Sequence, residues 1–333
     1  MKKGGGSLQM KSALVFVSDM MKRSRYLDAI AFLKGLEKRF PADIAVYSAL
    51  ARCYIYAGLF KDADFYARKR FTLLKPDTVE YVSALNQRAT AFCGMGKYAE
   101  SKTFTLQCIH MVKKMRLEET MEYAQVFLTA SLVGIAYENW EAALEGYTRA
   151  KEILYALGPE VEKKEDYVEI FGSLTTGLGC CFQNTKRYDE AFACFDVALS
   201  ETKRLGGKTH LSYATTLHAL GSFYSVTNRI YLAVHLYEKA YSVYAKLLGK
   251  GHSMTVHLYK ETQRIIGLIQ QDKCKFCQSV PYECKDECFQ RRWFLFKNDC
   301  FDCMVCSDSF AVLNRSRWGA LYCNKKECKK IFK

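Results

Sequence analysis

Nine cysteines crowd residues 274–328 of this 333-residue chain, and their spacing is the part of the sequence best suited to chemistry. Cys274-x2-Cys277 is followed by a segment holding Cys284 and Cys288. Then come Cys300-x2-Cys303-x2-Cys306, and after them Cys323 and Cys328. Zinc takes four thiolate or imidazole ligands in a tetrahedron, and a two-residue gap lets one tight turn supply two of them. Three cysteines in a row at that gap cannot easily serve one ion. Giving Cys300 to a first zinc, and Cys303 with Cys306 to a second, makes two adjacent sites. No open coordination position with a nearby general base is evident, so two structural Zn2+ ions are expected rather than a catalytic one. So small a tail has too little apolar surface to fold alone, and metal must supply much of its stability.

The other six cysteines (Cys53, Cys93, Cys108, Cys180, Cys181 and Cys194) are scattered among apolar helical positions. They read as small core side chains of a reducing compartment. The start, MKKGGGSLQ, has no apolar signal core and reads as a flexible tail over residues 1–9. No apolar run approaches the ~18 residues needed to cross a bilayer. The best candidate, Tyr123 to Tyr137, is broken by Gln125, Thr129 and Ser131. A cytoplasmic protein is expected, with the cytoskeleton, cilium or nucleus open. There is no phosphate loop, no His-Glu-x-x-His and no nucleophile elbow, so an enzyme is not expected. His252 reads as structural.

The tail follows a body that repeats itself. Recurring phrases begin at Ser24, Gly58, Gly96, Glu138, Lys186 and Asn228. Each has a bulky residue (Tyr26, Phe60, Tyr98, Trp140, Tyr188, Ile230) and a small one three later (Ala29, Ala63, Ser101, Ala143, Ala191, Ala233). The small residues recur at intervals of 34, 38, 42, 48 and 42 residues, a period that signals stacked helical pairs. Antiparallel helices approach closely only where a small side chain meets the crossing, and the bulky residue is expected to plug the gap between repeats. Each first helix adds a second small residue and usually an aromatic three later, as in Ala51 with Tyr54, Ala89 with Phe92, Gly179 with Phe182 and Gly221 with Tyr224. Gly58, Gly94 and Gly96 are expected in turns. The 48-residue step carries an insertion, GPEVEKKEDY, at 158–167.

These phrases resemble the tetratricopeptide repeat family, and the later spacing near 42 is similar to the longer repeats of kinesin light chains. AKLLGKGHSMTVHLYKE (245–261) looks like the linker of that variety. The resemblance implies an all-α superhelix of about six repeats plus a cap helix over 10–271, with a concave groove lined by the first helices. Arg52, Tyr56, Asn86, Gln183, Asn184 and His218 are then candidates for binding a partner. The lysines and asparagines that clamp a terminal carboxylate in some family members are not present.

The tail, 272–333, resembles the LIM domain. FKNDCFDCMVC (296–306) and WGALYCNKKEC (318–328) match two of its phrases, with Lys297 and Lys326 where that family has ligands. Cys328 could complete Cys303, Cys306 and Cys323, and Cys284 or Cys288 could complete Cys274, Cys277 and Cys300. Alternatively Cys274, Cys277, Cys284 and Cys288 share one zinc and the rest another; a single or absent zinc is the third case.

The formal charge of +14 invites a nucleic-acid reading. The charge is dispersed along the helical body rather than gathered into a stripe. The expectation is therefore a non-enzymatic scaffold that binds peptide or helical segments of other proteins, with the zinc module as a second surface. An RNA-binding helical-repeat protein with an accessory zinc finger is the alternative.

Overall fold

The computed structural model describes residues 3–117, 120–227, 229–271, 314–315 and 321–322. Thirteen α-helices stand among them: α1 Lys3–Lys22, α2 Tyr26–Arg39, α3 Ile44–Tyr56, α4 Phe60–Phe71, α5 Val79–Gly94, α6 Tyr98–Met115 and α7 Met121–Ala136. The remainder are α8 Trp140–Ala156, α9 Tyr167–Asn184, α10 Tyr188–Gly206, α11 Leu211–Val226, α12 Ile230–Leu247 and α13 Ser253–Gln271. A 3-10 helix covers Pro159–Lys163. A two-residue antiparallel ribbon pairs β1 (Asn314–Arg315) with β2 (Leu321–Tyr322). The nine tail cysteines lie outside the described residues. Two compact units divide the chain: Met1–Thr216 with Val243–Gly249, and Leu217–Ser242 with Lys250–Lys333.

In the larger unit α1/α2, α3/α4, α5/α6, α7/α8 and α9/α10 form successive helical hairpins. The small residues sit where the periodicity requires: Ala29, Ala63, Ser101, Ala143 and Ala191 are all at 0% exposure. Ser101 replaces alanine without penalty because its hydroxyl donates to the Ala89 carbonyl at 2.8 Å. In the smaller unit Ala233 is likewise buried, and a Cβ on Gly221 would meet the Tyr237 ring at 2.5 Å.

The turns inside the hairpins share one construction. Ser24, Gly58, Gly96, Glu138 and Lys186 have φ of 55°, 70°, 76°, 55° and 62°. The following amide reaches back to the carbonyl five residues earlier, as in Leu59 N–H to Tyr54 at 2.8 Å and Arg187 N–H to Phe182 at 2.8 Å. That is the Schellman closure of a helix C-terminus. Two of the five positions are glycine, so three L side chains bear the left-handed backbone, which is why the turn is hard to see in composition.

Three expectations are corrected. Gly94 is the last residue of α5 rather than a turn, and a Cβ there would meet the Phe60 ring at 2.5 Å. Tyr26 and Phe60 do fill gaps, but Tyr98 and Tyr188 are 38% and 39% exposed, so they lie at rims, Tyr98 edge-on to Tyr137 of the next repeat at 6.3 Å. Residues 3–9 continue α1 instead of forming a tail. The three glycines there cost about 1 kcal/mol each relative to alanine, which is what their composition signals.

Candidate functional site

Glu165 and Asp166 of the insertion and Glu169 of the first turn of α9 set three carboxylates at the start of that helix. Their partners come from α2, α3, α7 and the segment between α10 and α11. Arg52 of α3 pairs with Glu165 and lies 3.8 Å from Asp166. Gln125 of α7 donates to Asp166 at 3.1 Å. Tyr26 of α2 donates to Glu169 Oε1. His210 places Nε2 3.4 Å from the same oxygen, and the Leu211 amide donates to Ser24 Oγ at 2.9 Å. The face shared by the first helices thus carries side chains of repeats distant in sequence. Thr90 with Thr129, at 3.0 Å, and Thr176 with Thr216, at 3.2 Å, link neighbouring first helices.

Two electrostatic regimes meet here. Burial pushes the Glu169 carboxyl up to about 8, so it is protonated at neutral pH. A neutral carboxyl also costs less with one oxygen unmatched, and Oε2 has no partner. Burial pushes His210 down to about 4. Its Nδ1 accepts from the Ser212 amide at 3.2 Å, so its proton belongs on Nε2, which makes no hydrogen bond although Glu169 Oε1 lies 3.4 Å away. Burial also raises Glu165, but Arg52 and Ser18 outweigh that and hold it below the ordinary carboxylate range. Ser24, Tyr26, Glu169 and His210 are at most 5% exposed. A sealed cluster of this kind clasps helices together and does not meet a substrate.

The nominated residues part company. Arg52 and Tyr56 meet at the clasp, with Tyr56 ringed against Tyr26 at 5.4 Å. Asn86 is buried on α5 with Oδ1 unpartnered. Gln183 and Asn184 lie at the other end of α9, roughly 25 Å from Asp166 at 1.5 Å per residue, and Asn184 donates to the Cys180 carbonyl. His218, in the smaller unit, sits edge-on to Tyr237 at 5.6 Å and 6.1 Å from the His257 ring. Burial, then His257, pushes it down to about 4. Sequence reasoning missed Glu165, Asp166, Glu169 and His210. A signal existed for His210: LGGKTH (205–210) repeats the LGKGH phrase that ends at His252. Each histidine accepts from the amide two residues on, His252 from Met254 at 3.3 Å.

The six body cysteines are half-buried or buried. Burial pushes Cys53, Cys108 and Cys181 up to about 12 and Cys180 to about 11, so they are thiols. Among the described residues no three His, Cys, Asp or Glu side chains group to hold a metal, and no helix is long and apolar enough to cross a membrane.

Helical hairpins with small crossing residues recur in 171–246, joined by the linker that His210 ends. Those residues match the tetratricopeptide repeat family. Several solved structures are similar to the chain. A putative kinesin light chain from Podosopora anserina with nearly identical TPR-like repeats is 16% identical, covering 62% of this chain and 97% of its own, with a TM-score of 0.43. BtubC (BKLC) from P. vanneervenii is 17% identical over 69% and 92%, with a TM-score of 0.46. A Rap protein complexed with competence and sporulation factor is 10% identical over 76% and 73%, with a TM-score of 0.51. That last likeness shows a shared fold, and the family match over 171–246 makes it a tetratricopeptide-like array of helical hairpins. No curated protein matches the chain.

Proposed function

We propose that this chain is a non-enzymatic interaction scaffold that holds a peptide or helical segment of another protein on the first-helix face of its larger unit. The observation that carries this reading is the convergence of side chains from α3, α7 and α9 on that face. Stacked repeats present such extended surfaces to partners. Leu132 offers the test. It follows buried Ser131 as Arg52 follows buried Ala51, and it is 40% exposed. A photo-crosslinking residue at 132 should capture a protein whose recovery survives nuclease. Adducts that vanish with nuclease would favour an RNA-binding repeat protein instead.

The cysteine tail supplies, on the same reading, a structural zinc module and a second surface, in a reducing cytoplasmic setting. The spacing of its nine cysteines supports this. Elemental analysis should give close to two zinc equivalents, and Cys303→Ser should release metal while leaving the helical signal of the body intact.

A further inference from the structure

The inner side of α1 packs on α2 and α3 through Val17, Met20 and Met21, all buried. Its outer side is uncovered among the described residues. Val15 and Phe16, at mid-helix, are 70% and 49% exposed, and Phe16 meets the Phe32 ring edge-on at 5.3 Å. The outer helix of a repeat stack ordinarily turns a polar face to water. In the smaller unit α13 does so, with His257, Lys260, Gln263 and Arg264 exposed. α1 instead sets two adjacent apolar side chains in the middle of its outer face, framed by Lys11, Ser12 and Asp19.

Two exposed apolar residues alone are ordinary; the charges that frame them are what select an occupant. Lys11 stands four residues before Val15 and Asp19 four after, so the three form one row along the helix. Lys11 is exposed and pairs with no carboxylate among the described residues. Asp19 pairs with Arg23 at 3.2 Å yet keeps 52% of its side chain in water. Turned end for end about Val15, this row complements itself. Lys11 of each copy falls opposite Asp19 of the other, and Val15 falls opposite Val15. Lys22 and Arg23 fall opposite Leu8 and Ser7, so no like charges meet. A turn about Phe16 instead would set Lys11 against Met21 and Asp19 against Ala13, with no charge pair at all.

We propose that the outer face of α1 is a homodimer interface, on which two copies of the chain pair their α1 helices antiparallel about a twofold axis through Val15. Such a contact is isologous, the same patch meeting itself, as in most soluble dimers. Val15 and Phe16 supply its apolar centre, and a Lys11–Asp19 pair on either side of the axis fixes the register. Contact through one helix per copy is small, so the association is weak and depends on concentration. The dimer goes beyond the scaffold reading and doubles the number of first-helix faces offered to a partner.

Sedimentation velocity of the full chain over a dilution series, in reducing buffer with zinc, tests this. The unaltered chain should pass from monomer to dimer as concentration rises. Val15→Glu sets two carboxylates on the axis and should abolish the dimer over that range. Lys11→Glu and Asp19→Lys should each weaken association about tenfold, since each replaces two attractive pairs with two repulsive ones. The double variant Lys11→Glu with Asp19→Lys should return it to within about twofold of the unaltered chain, because the reversed charges again face each other. Lys11 and Asp19 are two turns apart on one helix, so that recovery can arise only between copies. A monomer at every concentration overturns the proposal. So does a dimer that survives Val15→Glu, which places the interface elsewhere, or a double variant no better than the single ones, which rejects the antiparallel register. If Val15→Glu fails to fold, the charge series decides. None of these outcomes bears on capture at 132, so the scaffold reading stands or falls separately.

Discussion

Four residues separate Glu165 from Glu169, and the two carboxyls are held in opposite states. Glu165 keeps 23% of its side chain exposed and faces Arg52; Glu169 keeps 6% and faces Tyr26 and neutral His210. Both lose water. The paired Arg52 charge and the Ser18 hydrogen bond outweigh that loss at Glu165, whereas the Tyr26 hydrogen bond and the unpaired influence of Arg52 do not at Glu169. The lesson is that desolvation sets the cost and the charge of the facing group sets the outcome.

The strongest attempt to break this contrast is to strip each carboxyl of its partner. Tyr26→Ala should cost about 3–5 kcal/mol in chemical denaturation, since it empties a fully buried site and leaves Glu169 unmatched. Arg52→Ala should cost about 1–2 kcal/mol, because water can reach Glu165. The reverse order would mean that the ionised pair, not the neutral cluster, holds the unit closed.

The pH profile comes next. With Glu169 pushed up to about 8, the folded chain keeps a proton that the unfolded chain releases above about 4.5, so stability falls as pH rises through that window. His210, pushed down to about 4, acts the other way up to about 6.5 and is constant above it. A net loss of roughly 1–2 kcal/mol between pH 6.5 and 8 is expected. Glu169→Gln should flatten it, and a profile flat in the unaltered protein would contradict the protonated state.

Glu165→Gln should act in the opposite range and more weakly. Its stabilisation is present above the ordinary carboxylate pKa and lost as pH falls below it. At pH 7 the substitution should cost about 1 kcal/mol at low salt and less at high salt, leaving the slope above pH 6.5 unchanged.

The smallest effect sharpens the same theme at the turns. Lys186→Gly should stabilise by up to about 1 kcal/mol, because an exposed L residue sits at φ 62°. Ser24→Gly should not, since Ser24 Oγ accepts from the Leu211 amide. Differential scanning calorimetry of the two variants separates backbone relief from a lost partner.

Much of the hairpin stack was legible because it follows a local rule. Ala29, Ala63, Ala143 and Ala191 repeat at near-regular intervals, and a crossing needs a small side chain wherever it occurs. The clasp obeys no such rule. Tyr26 and Glu169 are 143 residues apart, and no periodicity marks a contact made once. Arg52 and Tyr56 are groove candidates on the family resemblance, yet a resemblance between repeats does not tell that the chain's own insertion meets Arg52.

Stacked hairpins ordinarily fray from their ends, because a terminal repeat has one neighbour rather than two. Ser24 reaches an amide 187 residues away, so α2 cannot peel off without also uncovering the start of α11. Amide exchange in α2 should therefore track that of α9, and the larger unit should open as one body instead of unzipping from its first helix.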